Sequence, residues 1–339
     1  MSNEGSFMTI NTIYFATNRN PDNTLAPTSF GSGFSGQDLG DLRFGKVDVS
    51  RNSHEMDAST IVVLPDNSTL GSQVLLKQLR ESMTLRKKDT LILIHGFNVS
   101  FQQGVEHASS LIDKYEEVSQ GQYSPNMFVF SWPSDGKVTH YRNDRHDAEA
   151  SAYAFARGLL KLSAFLRDTS LGIACHQKIN LIAHSMGNYV LRHSLQQIRK
   201  IVDGERLPRV FDNIILTAAD EDSDAFEFDY KLLRLPELTQ RITVYFNSGD
   251  LVLSGSDLTK GNPDRLGHDG ADKPHQIPSK VVLIDVSDVV TGGFHVQHSY
   301  HLESDKVVTD MLAVLQGLSS ESDKLSRTYV PHANKFRLF

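Results

Sequence analysis

Short apolar runs alternate along the chain with longer segments whose apolar positions recur at helical spacing. The runs, rich in β-branched and aromatic residues, read as strands, and the longer segments as amphipathic helices. Strands are expected over Ile10–Thr17, Thr60–Leu64, Thr90–Ile94, Asn126–Ser131, Lys178–Ala183, Asn213–Thr217, Arg241–Asn247 and Lys280–Asp285, with a further one near Phe44–Val49. Helices are expected over Gly71–Ser82, Phe101–Ser119, Asp147–Asp168, Gly187–Lys200 and Asp305–Leu318. In the third of these, Phe155, Leu159, Leu162 and Phe165 fall on one stripe, which suits a face turned to a core.

Strands that alternate with helices call for a mostly parallel central sheet with helices on both faces. Runs such as Leu91-Ile92-Leu93-Ile94 are apolar throughout, as two-sided burial requires. Residues 1–60 carry glycine, serine and asparagine with few helical signals, and are expected to form an antiparallel N-terminal edge or an added lobe. The fold class is thus α/β, one domain over residues 1–317. Residues 254–279 form a long polar insertion between two strands, a candidate lid, and residues 318–339 a polar tail.

Composition narrows the function classes. A chain of 339 residues has a soft prior of about two domains, although α/β architectures often run long as one. With 39% hydrophobic and 22% charged residues it can bury a sizeable core. The net charge of −7 gives no support for a nucleic-acid partner, which would need a basic surface. The single cysteine, Cys175, excludes an intramolecular disulfide and a cysteine-based zinc cluster. No apolar run approaches the roughly 18 residues of a membrane span, and the first residues lack a basic region followed by an apolar one. A cytoplasmic location is therefore expected.

Two glycine-rich patterns lack the context their chemistry needs. Gly31, Gly33 and Gly36 match a dinucleotide fingerprint, but no strand precedes them and no helix follows. Gly40 to Val47 approaches a phosphate loop, yet Val47 stands where a hydroxyl must reach magnesium. His268 and His275, with Asp264 and Asp269, match no metal-ligand spacing. Neither cofactor nor metal is expected.

Ala183-His184-Ser185-Met186-Gly187 is different, because an apolar strand runs into it and an amphipathic helix leaves it. That is the context of a nucleophile elbow, in which small neighbours permit a sharp turn and the serine hydroxyl projects above the sheet. An oxyanion forming there needs two N–H donors. Met186, directly after the serine, is one candidate, and Phe97, in the His95-Gly96-Phe97-Asn98 turn after an earlier strand, is the other. Serine also needs an imidazole to accept its proton and a carboxylate to orient that imidazole. The acid is expected after a later strand, at Asp250 in preference to Asp220. His295, His298 and His301 crowd the stretch where the base should lie. His95, Asn98, Trp132 and Tyr141 are candidates for lining a substrate pocket.

Taken together, Tyr14 to Arg19, His95 to Asn98, Ser131 to Gly136, Tyr141 with Asp144, Ala183 to Asn188, Ala218 to Asp220, Tyr245 to Asp250, and His298 to Tyr300 resemble bacterial α/β-hydrolases of unknown substrate, serine hydrolases of the esterase/lipase superfamily. The resemblance implies an α/β-hydrolase fold and a Ser185–Asp250–His298 triad, with His298 chosen among the three histidines. It departs at Gln297, where the family usually has glycine, and in the length of the 254–279 insertion. The function expected is cleavage of a small-molecule acyl ester through an acyl-enzyme. The alternatives are an amidase, peptidase or lipase using the same residues, or a binding module on a hydrolase fold.

Overall fold

The fully apolar runs become strands covered on both sides, and everything else is arranged around them. The computed structural model describes residues 9–36, 41–64, 70–167, 176–203, 206–253 and 264–339. The N-terminal strands are β1 (Ile10–Thr17), β2 (Arg19–Pro21), β3 (Phe30–Phe34), β4 (Arg43–Ser50) and β5 (Met56–Leu64). Then come α1 (Gly71–Arg86), β6 (Thr90–Ile94), α2 (Phe101–Val118), β7 (Asn126–Ser131) and α3 (Tyr141–Arg167). β8 (Ile179–His184), α4 (Gly187–Ile201), β9 (Phe211–Thr217) and β10 (Thr239–Phe246) follow. The last third holds α5 (Leu266–Asp269), β11 (Val281–Asp285), α6 (Phe294–His298), α7 (Tyr300–Glu303), α8 (Asp305–Gln316), β12 (Arg327–Val330) and β13 (Lys335–Leu338).

Among the described residues, eleven strands form one sheet in the order β12-β13-β11-β10-β9-β8-β6-β7-β1-β4-β5. Pairing is parallel from β11 through to β1. The antiparallel edge is β1–β4–β5, as the N-terminal composition suggests. Buried side chains of α1, α3 and α4 cover one face, and those of α2 and α8 the other, so two apolar layers flank the sheet. Every residue of β6 and β7 is buried. Among the described residues, no helix is long and apolar enough to cross a membrane.

Three departures from the sequence reading bear on the course of the chain. α3 begins at Tyr141, six residues ahead of the expected start, because its first turn is polar and lacks apolar periodicity; Asp144 there suits a helix N-terminus. The expected polar tail instead adds two strands, β13 parallel to β11 and β12 antiparallel to β13. Leu338 at its end is buried. Residues 264–279 of the insertion are also no free loop: Leu266 and Gly267 donate backbone bonds to Glu221 (2.8 Å) and Ala219 (3.0 Å), and Gly267 accepts one from Asn247 (3.0 Å). Residues 254–263 of the insertion, Cys175, Gly40 and the expected helix end at Asp168 lie outside the described residues.

Candidate functional site

The site grows from the end of β8, a central strand. Ser185 follows it with φ at +51°, a left-handed conformation that costs a non-glycine residue energy and holds only where the surroundings impose it. Two glycines make the turn fit. A Cβ on Gly187 would lie 2.4 Å from the Ile94 carbonyl oxygen, and one on Gly96 would lie 2.8 Å from the Cβ of Ser185. The Asn188 side chain closes the elbow from below by donating to the carbonyls of Ala183 and Ser185, each at 3.0 Å.

Asp250 follows β10 and is fully buried. Its Oδ2 accepts from His298 Nδ1 at 2.7 Å, while Oδ1 accepts from the amides of Val252 (3.1 Å) and Leu253 (3.3 Å). A carboxylate only accepts, so Nδ1 carries a proton, and the tautomer this bond selects in a neutral ring is the one with the lone pair on Nε2. His298 lies against the elbow: its carbonyl accepts from His184 Nε2 at 3.1 Å, and the two rings are 4.9 Å apart. Among the described residues the Ser185 hydroxyl makes no hydrogen bond, so the imidazole has not closed on it in this conformation. Contacts of this kind commonly tighten on substrate binding.

The two other histidines are placed differently. His295 is exposed, with Nε2 3.5 Å from Glu303. His301 is buried against His184, ring centroids 4.1 Å apart, and burial holds its pKa down to about 3. Gln297, the departure from the family pattern, ties His298 in place. Its side-chain oxygen accepts from Asn247 Nδ2 at 2.7 Å, and its nitrogen donates to the Val290 carbonyl at 3.1 Å.

The His95–Asn98 turn supplies the facing side. His95 is buried, and burial pushes its pKa down to about 3, so the ring is neutral. Its Nδ1 lies 2.9 Å from the Gly96 carbonyl, which can only accept, so Nδ1 carries the proton. Nε2 then accepts from the Ser131 hydroxyl at 3.4 Å, and Ser131 Oγ takes the Nε–H of buried Arg19 at 2.9 Å. The Gly96–Phe97 peptide is trans, so anchoring its carbonyl on His95 aims the Phe97 N–H the opposite way. Neither the Phe97 nor the Met186 N–H has an acceptor among the described residues.

Trp132 corrects a sequence expectation. It is fully buried, stacked on His95 at 5.2 Å, with its indole N–H on the His95 carbonyl at 2.9 Å. It braces the turn, packing inward beyond the end of β7, and is not among the residues that border the cavity of about 750 Å³ beside the site. Tyr141 sits edge-on to Phe97 and donates to Asp220 at 2.6 Å. That bond, with Arg145 and Arg265 nearby, occupies Asp220, the alternative acid, away from His298. Asn98 and His95 do border a cavity of about 750 Å³, together with Phe97, His107, His184 and His298.

Metal-holding potential is slight. The imidazoles of His268 and His275 are engaged locally, by Asp269 at 2.7 Å and by the His332 carbonyl at 3.2 Å. Among the described residues, one group brings ligand atoms within 4.8 Å of one another, the carboxylates of Asp135, Asp144 and Asp147. Asp144 there is already occupied by protein donors, and Arg19 lies close enough to respond to all three charges.

Sequence reasoning gave no separate role to Arg19, Ser131, Ser134 or Gln297. The first three lay inside motifs used for the resemblance, and only their contacts distinguish them.

Residues 71–315 match the family described as alpha/beta hydrolase of unknown function (DUF900), over more than two thirds of the chain. The uncharacterized protein alr1448 of Nostoc sp. is 31% identical over 184 residues, 46% of this chain and 44% of that protein, so the match spans less than half of either. A solved chain described as a cell surface hydrolase from Lactobacillus plantarum WCFS1 is similar over 70% of this chain and 94% of its own, at 11% identity and a TM-score of 0.35.

Proposed function

Since the chain belongs to the α/β-hydrolase family of unknown function, and its sheet and helices have that fold, we propose that it is a serine hydrolase cleaving a carboxylic ester through an acyl-enzyme. The observation that carries this reading is the 2.7 Å bond between His298 Nδ1 and buried Asp250, beside a serine held at positive φ.

In this reading Ser185 Oγ attacks the ester carbonyl carbon as its proton passes to His298 Nε2. Asp250 fixes the tautomer and stabilises the imidazolium that forms. The carbonyl oxygen becomes an oxyanion and takes the Phe97 and Met186 amides as donors. Collapse of the tetrahedral intermediate breaks the bond to the alcohol oxygen, which leaves with the proton from His298. Water then repeats the sequence on the acyl-enzyme and restores the free serine.

Turnover of short-chain p-nitrophenyl esters, beside anilides and long-chain esters, tests the proposal. Esters should turn over faster than the matched anilides. Ser185→Ala should lower kcat by about 10⁶ and Asp250→Asn by about 10⁴, by analogy with known serine proteases. Ester turnover that survives in Ser185→Ala would overturn the assignment.

A further inference from the structure

The first turn of α3 touches the Phe97 loop in two ways, with residues one helical turn apart on the same side. Asp144 is fully buried and accepts three hydrogen bonds. Its Oδ2 takes the backbone N–H of Asn98 at 3.3 Å and the hydroxyl of Ser134, and its Oδ1 takes the N–H of Asp135 at 2.9 Å. Ser134 Oγ in turn accepts the Val99 N–H at 3.2 Å, and Arg19 donates to the Val99 carbonyl at 2.7 Å. Tyr141 packs edge-on to the Phe97 ring at 5.5 Å.

These contacts surround one strained residue. Asn98 has φ at +58°, a left-handed conformation that its surroundings must hold, and it closes the loop that carries the Phe97 N–H. The bonds from Asn98 and Val99 satisfy their amides on the inner side of the loop. Phe97 is the residue in this run whose N–H is left unmatched among the described residues.

We propose that Asp144 is a positioning residue. By holding the Asn98 amide and, through Ser134, the Val99 amide, it fixes the left-handed turn that aims the Phe97 N–H at the oxyanion. The inference rests on the serine hydrolase reading. Because the carboxylate never touches substrate, removing it should act on the transition state and leave ground-state binding alone. A donor moved by about 1 Å can cost on the order of 10²-fold in rate, and loss of a whole donor about 10²–10³-fold.

The test compares wild type with Asp144→Asn on a short-chain p-nitrophenyl ester. The asparagine keeps one acceptor oxygen, but its amide nitrogen cannot accept from Asn98 or Asp135. The expected result is a kcat lower by about 10- to 100-fold with KM within about twofold of wild type. A trifluoromethyl ketone, which places its oxyanion at the same amides, should lose affinity by about the same factor as kcat/KM. Fluorophosphonate should still label Ser185 to completion in both wild type and Asp144→Asn, given sufficient time. Should Asp144→Asn fail to fold, Ser134→Ala removes one arm of the clamp and is expected to lower kcat by about three- to tenfold with the same unchanged KM.

Kinetics and ketone affinity within twofold of wild type would overturn the proposal. So would a fall in the fraction of protein that can be labelled that accounts for the whole loss of rate, since that is the mark of a merely structural role. Wild-type protein that takes no label on Ser185 would instead sink the hydrolase reading, and this inference with it.

Discussion

Tyr300 shows how single side chains hold the strained backbone around the elbow. Its hydroxyl is fully buried, accepts the Ala218 N–H at 2.6 Å and donates to the Tyr245 carbonyl at 2.8 Å. Ala218 is itself left-handed, with φ at +44°, and begins the turn that delivers the Asp220 amide to the Ser185 carbonyl at 3.2 Å. Burial holds the phenol pKa well above its ordinary value, so the proton needed for the second bond stays in place. Tyr300→Phe removes one group and orphans two. Leaving a buried polar group unsatisfied costs about 1–3 kcal/mol, and urea unfolding should show a loss of about that size with an unchanged m value. An unaltered midpoint would mean that water replaces the hydroxyl.

Elements that look peripheral in sequence turn out to be fastened to the centre. β12 carries Arg327, nearly inaccessible to solvent, whose guanidinium meets Asp310 of α8 through Nε at 2.6 Å and Nη2 at 2.5 Å. Tyr245 of β10 donates to the same carboxylate at 2.6 Å. Truncating Arg327 would strand a buried charge, so Arg327→Ala should lower stability by about 3–5 kcal/mol in chemical denaturation, and a change below about 1 kcal/mol would contradict the pairing. This bond explains why the tail was illegible: TYV and KFRL are too short to register as strands, and their anchor lies more than a dozen residues upstream. The parallel strands were legible because burial on both faces demands unbroken apolar runs, as in Thr90–Ile94. As candidates, Ser185 stood out through its strand-to-helix turn, which the structure shows, and Met186 through its place beside it. Asp250 could be chosen over Asp220 only from its position after the second strand beyond the elbow. His298 could not be separated from His295 and His301 by spacing alone, because all three lie within a few residues and only the fold shows which of them meets the buried Asp250 carboxylate. Trp132 was left between pocket lining and packed wall, because a rim position in sequence does not reveal which way an indole turns.

At the scale of the whole molecule, burial of neutral imidazoles sets the response to acid. His95, His184 and His301 all have pKa values pushed below the ordinary imidazole value by burial, to about 3 for His95 and His301. A depressed folded-state pKa contributes stability that is present above the unfolded value of about 6.5 and lost as pH falls through it. Glu221 runs the other way: burial pushes it up to about 7, so its contribution is lost as pH rises toward that value. The imidazoles' contribution should therefore fall on acidification below about pH 6.5, by up to about 1.4 kcal/mol per pH unit each, against the opposing gain from Glu221. Denaturant midpoints between pH 6 and 4 should show a slope reduced by about one proton in His301→Phe, and an identical slope would count against a neutral buried His301. The catalytic proposal itself meets its most direct test in a crystal structure of the protein after reaction with an alkyl fluorophosphonate. The phosphorus should be bonded to Ser185 Oγ, its oxygen within hydrogen-bond distance of the Phe97 and Met186 amides, and His298 Nε2 turned to the serine oxygen. An adduct on any other residue, or a phosphoryl oxygen pointing away from both amides, would contradict it.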